Sequence, residues 1–319
     1  MLAVSIENLM ETQLKVAILL PTFNGEKYLA EQLDSLLGQS YQNYIIVLRD
    51  DCSTDGTVQI IQSYLAKYPE FIHFLDSGGK NLGVGGSFSL LMRYVLDHKK
   101  ELGLQQAYML FCDQDDIWLE DKISVQFKAM LEAESTNAEI PILVHSDLQV
   151  VSETGQLISE SFVRYQGLKT KRNRFNNLLV SNLVTGCAVL VNENLAKRSL
   201  PVPDEAIMHD WWVTLVCSAF GKLVFLDRPL VDYRQHETNT LGAKEYPKPD
   251  YSNSARIREI LSFRSNPLLE DCATQAEMFS KRYGTQLTIV KRCLVFFTVI
   301  MRLRIGLLQK LIFRLMRGF

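Results

Sequence analysis

The chain has 319 residues, of which 47% are hydrophobic and 22% charged, with 17 glycines, 9 prolines and a formal net charge of −2. This apolar content excludes a disordered chain, and the glycine and proline content is too low for a fibrous one. The charge is uneven, because residues 278–319 contain nine Lys or Arg residues and none of the 36 acidic residues. We therefore expect the basic C-terminal segment and the acidic remainder of the chain to have different surroundings.

The cysteines and the apolar runs indicate the compartment of the protein. The six cysteines are far apart and form no CxxC pair, which argues against a structural zinc site and a disulfide framework. No basic cluster precedes an apolar run in the first 13 residues, so no signal peptide is predicted. The run from Cys293 to Met301 has nine residues, whereas a membrane-spanning helix needs about 20. We expect a cytoplasmic protein with reduced thiols and no membrane-spanning helix.

Apolar runs alternate with segments of helical periodicity through the first third of the chain. The runs predicted as buried strands are Val16–Leu20, Tyr44–Leu48, Phe71–Leu75 and Ala107–Cys112. The first helix is predicted to begin with Asn24 as its N-cap. This order predicts a mostly parallel sheet covered by helices on both faces. Farther on, the pattern predicts strands at 142–144, 184–191 and 223–226, a helix at 211–220, and helices to the C-terminus.

Three acidic residues directly follow the fourth predicted strand. Asp113, Asp115 and Asp116 would lie at the edge of the sheet where ligands bind in such folds. In an extended segment, Asp113 and Asp115 point to the same side. Neighbouring carboxylates repel one another unless a cation intervenes, so the cluster predicts a Mg²⁺ or Mn²⁺ site shared with substrate phosphates. The alternative is a solvated acidic turn before a helix that starts near Trp118.

Two further loops reach the same edge of the sheet. Asp50 and Asp51 follow the second strand, where an acid commonly accepts hydrogen bonds from a nucleotide, although the segment also suits an ordinary turn. The loop from Ser77 to Ser87 includes Gly83, and its backbone N–H groups could cradle a diphosphate. The glycine fingerprints of dinucleotide-binding dehydrogenases and of P-loop NTPases are absent.

Two motifs in the second half of the chain contain further candidate residues. His209, Asp210, Trp211 and Trp212 precede an apolar helix. Asp210 is either a general base beside aromatic surface or an acid that favours a helix N-terminus. The tryptophans form either a platform for a sugar ring, which would place Trp211 in a sugar-nucleotide site, or part of the core. Farther on, His236 could ligate a metal and Arg234 could meet phosphate, although a lone loop histidine commonly does neither.

Taken together, these motifs resemble the family 2 glycosyltransferases, the inverting enzymes of GT-A fold. The motifs that carry the resemblance are LPTFNG at 20–25, RDDCSTDGT at 49–57, DQDDIW at 113–118 and HDWW at 209–212. Their order and spacing match over about residues 15–240. With Tyr-Arg-Gln-His at 233–236, the set is most similar to bacterial rhamnosyltransferases that build cell-surface polysaccharides.

The resemblance implies a fold, a domain division and residue roles. It implies a Rossmann-like GT-A catalytic domain at 14–245, with a nucleotide-binding half at 14–117 and an acceptor half at 118–245. An N-terminal tail at 1–13 precedes this domain, and a C-terminal helical region at 246–319 follows it. The implied residues are Pro21, Asn24 and Glu26 in the nucleotide pocket, Asp51 on the pyrimidine N–H, Asp113 at the ribose, Asp115 on the metal, Asp210 as the base, and His236 as a further metal or diphosphate ligand.

The function that the resemblance implies is metal-dependent transfer of a sugar, with inversion, to a hydroxyl of a glycan or lipid-linked glycan. L-Rhamnose from dTDP-rhamnose is the expected donor sugar. The alternatives are a UDP-sugar-using glycosyltransferase, a non-catalytic sugar-nucleotide-binding scaffold, and a nucleotidyltransferase. The last of these lacks the glycine-rich basic signature expected after the first strand.

The segment from Lys281 to Phe319 interleaves cations with bulky aliphatic and aromatic residues. Such a basic amphipathic segment predicts helices that lie on the anionic inner face of the cell membrane. The alternatives are a homo-oligomer interface and a lid packed on the acidic body. A nucleic-acid partner is not expected, because the cations do not line a polar groove.

Overall fold

The computed structural model describes residues 14–76, 78–237 and 266–318. The predicted N-terminal tail at 1–13 and the predicted boundary at 245 lie outside the described residues. The described part comprises one nine-stranded sheet with helices on both faces. Two hydrophobic cores, one on each face, bury its strands.

The first half of the sheet follows the predicted alternation of strands and helices. Its elements are β1 (Val16–Thr22), α1 (Leu29–Leu37), β2 (Tyr44–Asp50), α2 (Thr57–Lys67), β3 (Ile72–Leu75), α3 (Gly83–Asp97) and β4 (Tyr108–Phe111). The four strands are all parallel and lie in the order β3-β2-β1-β4. Because parallel strands end at the same edge, the loops after β1, β2 and β4 converge there.

The second half of the sheet is mixed. Its elements are β5 (Ile117–Trp118), α4 (Lys122–Glu134), β6 (Ile142–Val151), β7 (Leu157–Ser159), α5 (Phe162–Tyr165), α6 (Phe175–Leu178), β8 (Val189–Val191), α7 (Glu193–Ser199), α8 (His209–Phe220) and β9 (Lys222–Arg234). Strand β8 lies antiparallel between β4 and β6, β9 is parallel to β6, and β5 is antiparallel to β9. Four of the eight strand pairings are parallel, and they contain most of the paired residues, so the sheet is mostly parallel, as predicted.

Four local predictions are corrected by the structure. The helix expected near Trp118 begins at Lys122, because Trp118 pairs with β9 in β5. The strand predicted from Val184 is confined to Val189–Val191, since a 3₁₀ turn precedes it. The strand predicted at 223–226 extends to Arg234. Asn24 does not cap α1, whose N-cap is Tyr28.

Three helices follow the sheet and belong to the same core as α3 and α8. They are α9 (Pro267–Tyr283), α10 (Ile289–Ile300) and α11 (Gly306–Gly318). Phe279 of α9 is fully buried, and its ring packs against Trp212 of α8 with a centroid separation of 5.7 Å. The C-terminal helices therefore form part of the folded body. Within the described residues, no helix combines the length and apolar character that crossing a bilayer requires.

Gly221, which ends α8, allows a close approach of two chain segments. A Cβ at this position would lie 1.8 Å from the Pro141 carbonyl oxygen. We predict that Gly221→Ala destabilises the protein by about 2 kcal/mol or more, because backbone on both sides must shift. Gly38→Ala at the end of α1 is the control, since its Cβ would meet only ordinary contacts, the nearest at 3.4 Å. Urea unfolding measures both, and equal stability of the two variants would contradict the prediction.

Candidate active site

The loop after β1 is tied to the loops after β2 and β4 by side chain-to-backbone hydrogen bonds. Asn24 Oδ1 accepts from Thr54 N at 2.8 Å, and Glu26 Oε2 accepts from Gly56 N at 2.9 Å. Gln114 both donates to and accepts from the backbone of Phe23, at 2.9 and 2.8 Å. The structure thus brings Pro21, Asn24 and Glu26 to the predicted edge, where Asn24 and Glu26 help to order the loops.

Asp51 is buried at the end of β2 and organises the neighbouring loop. Its carboxylate pairs with the Arg49 guanidinium and accepts hydrogen bonds from Leu82 N and Gly83 N, both at 2.8 Å. Arg49 is fully buried, and it also donates to Ser87 Oγ at 2.7 Å and to Lys80 O at 2.6 Å. A carboxylate has about four acceptor positions, so few remain for a nucleotide.

The prediction that the loop from Ser77 to Ser87 cradles a diphosphate through Gly83 is corrected by this arrangement. Helix α3 begins at Gly83, so the predicted loop ends at Leu82. The Gly83 N–H donates to Asp51 Oδ2 and, at 3.0 Å, to Asn81 Oδ1. Two acceptors, one of them a carboxylate, therefore occupy the direction in which a phosphate oxygen would bind.

The acidic loop after β4 bends, and the bend divides its carboxylates into two groups. Oxygens of Asp113 and Asp116 lie within 4.8 Å of each other and of Cys187 Sγ. Asp115 instead meets His236, whose Nε2 lies 2.8 Å from Asp115 Oδ2. The prediction that Asp113 and Asp115 point to the same side assumed an extended segment. It is wrong, because the chain bends at Gln114 and Asp115.

Arg234 at the end of β9 fixes this loop in place. Its Nε donates to Asp115 O at 3.0 Å, and its backbone N donates to Asp116 Oδ1 at 3.1 Å. The guanidinium also bonds Glu153 O at 2.8 Å and pairs with Glu31. A phosphate contact was one alternative predicted for Arg234. In the structure its buried guanidinium binds protein groups instead, so its role is structural.

Two carboxyls of the acidic loop have perturbed pKa values. Burial raises the pKa of Asp113, and the nearby Asp115 and Asp210 raise it further. Burial raises the pKa of Asp116 well above its usual range, and the nearby Asp115 and Asp113 raise it further. Fully buried Lys122, whose Nζ lies 4.2 Å from the centre of the Trp118 ring, has its pKa lowered to about 8 by burial. The protein thus keeps mutually repelling acids together in a region of low dielectric.

These groups fit a divalent metal ion. Asp116 is fully buried, and its Oδ2 has no hydrogen-bond partner in the described part of the chain. Carboxylate oxygens suit Mg²⁺ and Mn²⁺, and an imidazole suits Mn²⁺. Burial raises the pKa of the Cys187 thiol well above its usual range. A neutral thiol is a poor ligand for hard cations, so we assign Cys187 to the wall of the site.

Asp210 lies in the first turn of the buried helix α8. Burial raises the pKa of its carboxyl to about 7, against the opposing effect of hydrogen bonds from the Trp211 and Gly186 backbone. The Asp210 charge also raises the pKa of Asp113, which places the two carboxyls in one electrostatic environment. A carboxyl that titrates near neutral pH is suited to accept a proton.

The predicted sugar platform at Trp211 is corrected. The Trp211 side chain is only 5% exposed, and its indole N–H donates to Leu178 O at 2.7 Å. Trp212 is fully buried and donates to Ser199 O at 2.9 Å. Both tryptophans therefore belong to the core, which was the alternative that the sequence left open.

The sequence did not assign roles to several residues that define this site. Arg49, Lys122 and Cys187 are all fully buried beside its acids. Arg49 directly precedes the Asp50–Asp51 pair, and Lys122 closely follows the acidic cluster, so proximity in sequence was the available signal. Cys187 reaches the site only through the packing of β8 beside β4, which local sequence does not reveal.

The chain belongs to glycosyl transferase family 2, whose family model matches residues 17–197. A dTDP-rhamnosyl transferase, RfbG of Shigella flexneri, is 28% identical over 246 residues, covering 74% of this chain and 78% of that protein. TuaG of Bacillus subtilis (strain 168), provisionally named a teichuronic acid biosynthesis glycosyltransferase, is 34% identical over 119 residues, covering 37% of this chain and 42% of that protein.

Solved structures confirm the GT-A fold. TarS residues 1–349 of S. aureus superimposes with a TM-score of 0.52 at 17% identity, covering 96% of this chain and 92% of that one. The mannosyltransferase PcManGT of Pyrobaculum calidifontis, solved with GDP-Man and Mn²⁺, has a TM-score of 0.50 at 13% identity and covers 89% and 74% of the two chains.

The raised pKa of Asp210 predicts a pH-dependent stability. Ionisation is easier in the unfolded chain, so the carboxyl reduces stability as pH rises from about 4 to about 7. Asp210→Asn removes this penalty, and we expect a gain on the order of 2 kcal/mol at pH 8 that disappears near pH 4. Thermal unfolding in EDTA measures it, with exposed Asp204→Asn as control. A pH-independent difference would contradict the assigned pKa.

Proposed function

We propose that this family 2 glycosyltransferase is a metal-dependent inverting enzyme that uses Asp210 as its general base. The observation that carries the proposal is the convergence of buried acids from two sources, the loop after β4 and the start of α8. Asp113, Asp116 and Cys187 come together on one side, and Asp210 shares their electrostatic environment. A buried carboxylate oxygen that lacks a partner, as Asp116 Oδ2 does within the described residues, is uncommon in an ordinary structural core.

The chain's own residues have two proposed roles in the reaction. Asp210 removes a proton, and other residues hold the loops of the site in position. Asp210 takes the proton of the acceptor hydroxyl, whose oxygen bonds to the anomeric carbon while the bond from that carbon to the diphosphate oxygen breaks. A single displacement of this kind inverts the anomeric centre. Arg234 fixes the acidic loop against the sheet, and the Asp51 network fixes the loop before α3. General-base catalysis of this kind contributes about 10²–10⁴-fold to a rate.

A divalent cation, held by Asp113, Asp115 and Asp116 with His236 in reach, would offset the negative charge that develops on the leaving diphosphate. A structural neighbour supports this cofactor, since PcManGT was solved with Mn²⁺. In the described conformation Asp115 and His236 bond each other, so a ligand role for either replaces that hydrogen bond.

For the donor, we propose dTDP-rhamnose, with a UDP-sugar as the second candidate. The name of RfbG as a dTDP-rhamnosyl transferase supports the first, and the structures of TarS with UDP and UDP-GlcNAc support the second. For the acceptor, we propose a hydroxyl of a glycan or lipid-linked glycan in polysaccharide synthesis, supported by the name of TuaG. Asp51 has one acceptor position left for a pyrimidine N–H.

The competing function is a catalytically inactive sugar-nucleotide-binding scaffold. A scaffold needs acids that bind the donor but no base. The buried Asp210 carboxyl costs stability when it ionises, as its raised pKa indicates, and this cost favours a catalytic role. Asp210 is therefore the residue whose replacement separates the two functions.

The test is release of nucleoside diphosphate from a panel of dTDP-, UDP- and GDP-sugars, with Mn²⁺, Mg²⁺ or EDTA, with and without acceptor extract. We expect dTDP release from dTDP-rhamnose that EDTA abolishes. Asp210→Asn should retain donor binding by calorimetry and lose 10²-fold or more of the transfer rate. Near-normal transfer by this variant would disprove the base assignment, whereas donor binding without turnover by the wild type would favour the scaffold.

We further propose that the C-terminal helices bind the anionic inner face of the cell membrane. Nine of the fourteen exposed large hydrophobic residues in the described chain lie after residue 288. They are Ile289, Val290, Phe296, Phe297, Leu303, Ile305, Leu307, Leu311 and Leu315. Cations and no acids accompany them, a composition that favours an anionic lipid surface over an acidic or neutral protein core. A homo-oligomer interface remains the competing occupant.

The membrane proposal predicts co-sedimentation with vesicles of phosphatidylglycerol and weaker binding to pure phosphatidylcholine. Phe296 is 62% exposed, so Phe296→Ser with Phe297→Ser should weaken binding about tenfold without unfolding the chain. The control is Leu157→Ser with Ile158→Ser, an exposed apolar pair on β7. Equal binding by both variants would contradict the proposal. Dissociation of an oligomer by the Phe296 and Phe297 substitutions, without any lipid binding by the wild type, would favour the interface.

A further inference from the structure

In the first turn of α8, the residue next to Asp210 forms a hydrogen bond that links this helix to α6. The Trp211 indole N–H donates to Leu178 O at 2.7 Å, and both groups are buried. Leu178 is the last residue of the four-residue helix α6, so its carbonyl has no partner within that helix. The position of α6 therefore bears directly on the position of Asp210.

Helix α6 is in turn hydrogen-bonded to the C-terminal helix α11. The side-chain amides of Asn176 and Asn177 both donate to Met316 O, each at 2.7 Å, and both side chains are buried. Met316 lies in the last turn of α11, where carbonyl groups lack helical partners. Burial makes each of these hydrogen bonds costly to lose, because an unpaired amide or carbonyl in the interior is strongly disfavoured.

The C-terminal end of α8 also contacts the C-terminal helices. Lys291 of α10 donates through Nζ to Ala219 O in the last turn of α8. In the first turn of α8, Phe279 and Tyr283 of α9 pack on the Trp212 ring at 5.7 and 6.1 Å. The C-terminal helices thus contact α8 in its first turn and in its last.

We infer that Asn176, Asn177 and Trp211 are positioning residues that set the location of Asp210 through α6, with the C-terminal helices as their support. The inference rests on the proposed role of Asp210 as base. It gives the C-terminal region a part in the reaction that is separate from membrane binding. A displacement of about 1 Å at a reacting group can cost about 100-fold in rate, so a modest shift of α8 has a measurable effect.

The experiment compares isosteric substitutions in the full chain. Asn177→Asp removes the amide that donates to Met316 O, and Asn194→Asp is its control, since exposed Asn194 makes a similar amide bond to Ala138 O at 3.0 Å away from α8. Trp211→Phe removes the indole N–H, and Tyr41→Phe is its control, since it removes a buried hydroxyl that donates to Leu14 O away from α8. The readouts are kcat, donor Kd by calorimetry, and amide hydrogen exchange of the peptide that covers the start of α8.

We expect Asn177→Asp and Trp211→Phe to lower kcat about tenfold or more, to leave donor Kd within about twofold, and to speed exchange at the start of α8. The two controls should change none of these. The inference is overturned if both test variants match their controls, or if Tyr41→Phe lowers kcat equally. If Asn177→Asp does not fold, the Trp211 pair decides. If wild-type protein transfers no sugar, the proposed function fails, and the exchange measurement still tests the link.

Discussion

Mutual repulsion among four acids is the constraint on which the site depends. Asp113, Asp115 and Asp116 share one loop, and Asp210 approaches from α8, in surroundings that raise the pKa of three of them. Carboxylates placed so close in a low-dielectric interior are stable only as acids, or beside cations. The folded chain therefore favours ligands that bring positive charge, which a metal-bound nucleotide supplies.

The rest of the structure supplies the forces that keep these acids in place. Arg234, from the long strand β9, donates to the Asp115 carbonyl and to the Asp116 carboxylate. Buried Lys122 contributes a positive charge close to Asp116. At the neighbouring loop, Arg49 and Asp51 form a buried ion pair that fixes the start of α3. These cations face protein groups, whereas the unpaired Asp116 oxygen is left for a ligand. The C-terminal helices contact α8.

The first half of the fold follows from local sequence, because buried parallel strands such as Val16–Leu20 are continuous apolar runs and their loops meet by topology. The loops after β1, β2 and β4 meet at one edge of the sheet for the same reason. The prediction for Gly83 was wrong because Asp51, distant in sequence, takes its N–H. Trp211 could not be assigned from sequence, since an indole suits both a core and a platform. The role of Asn177 depends on a contact 139 residues away in the chain.

The central claim is that the acidic loop binds a divalent cation together with a nucleoside diphosphate, and Mn²⁺ titration followed by electron paramagnetic resonance tests it most directly. The account predicts one Mn²⁺ site per chain, tightened by dTDP or UDP, and weakened tenfold or more in Asp116→Asn. Asp121→Asn is the matched control, because Asp121 pairs with Arg228 outside the acidic loop. Absence of Mn²⁺ binding with nucleotide present, or equal binding by the wild type and Asp116→Asn, would contradict the account.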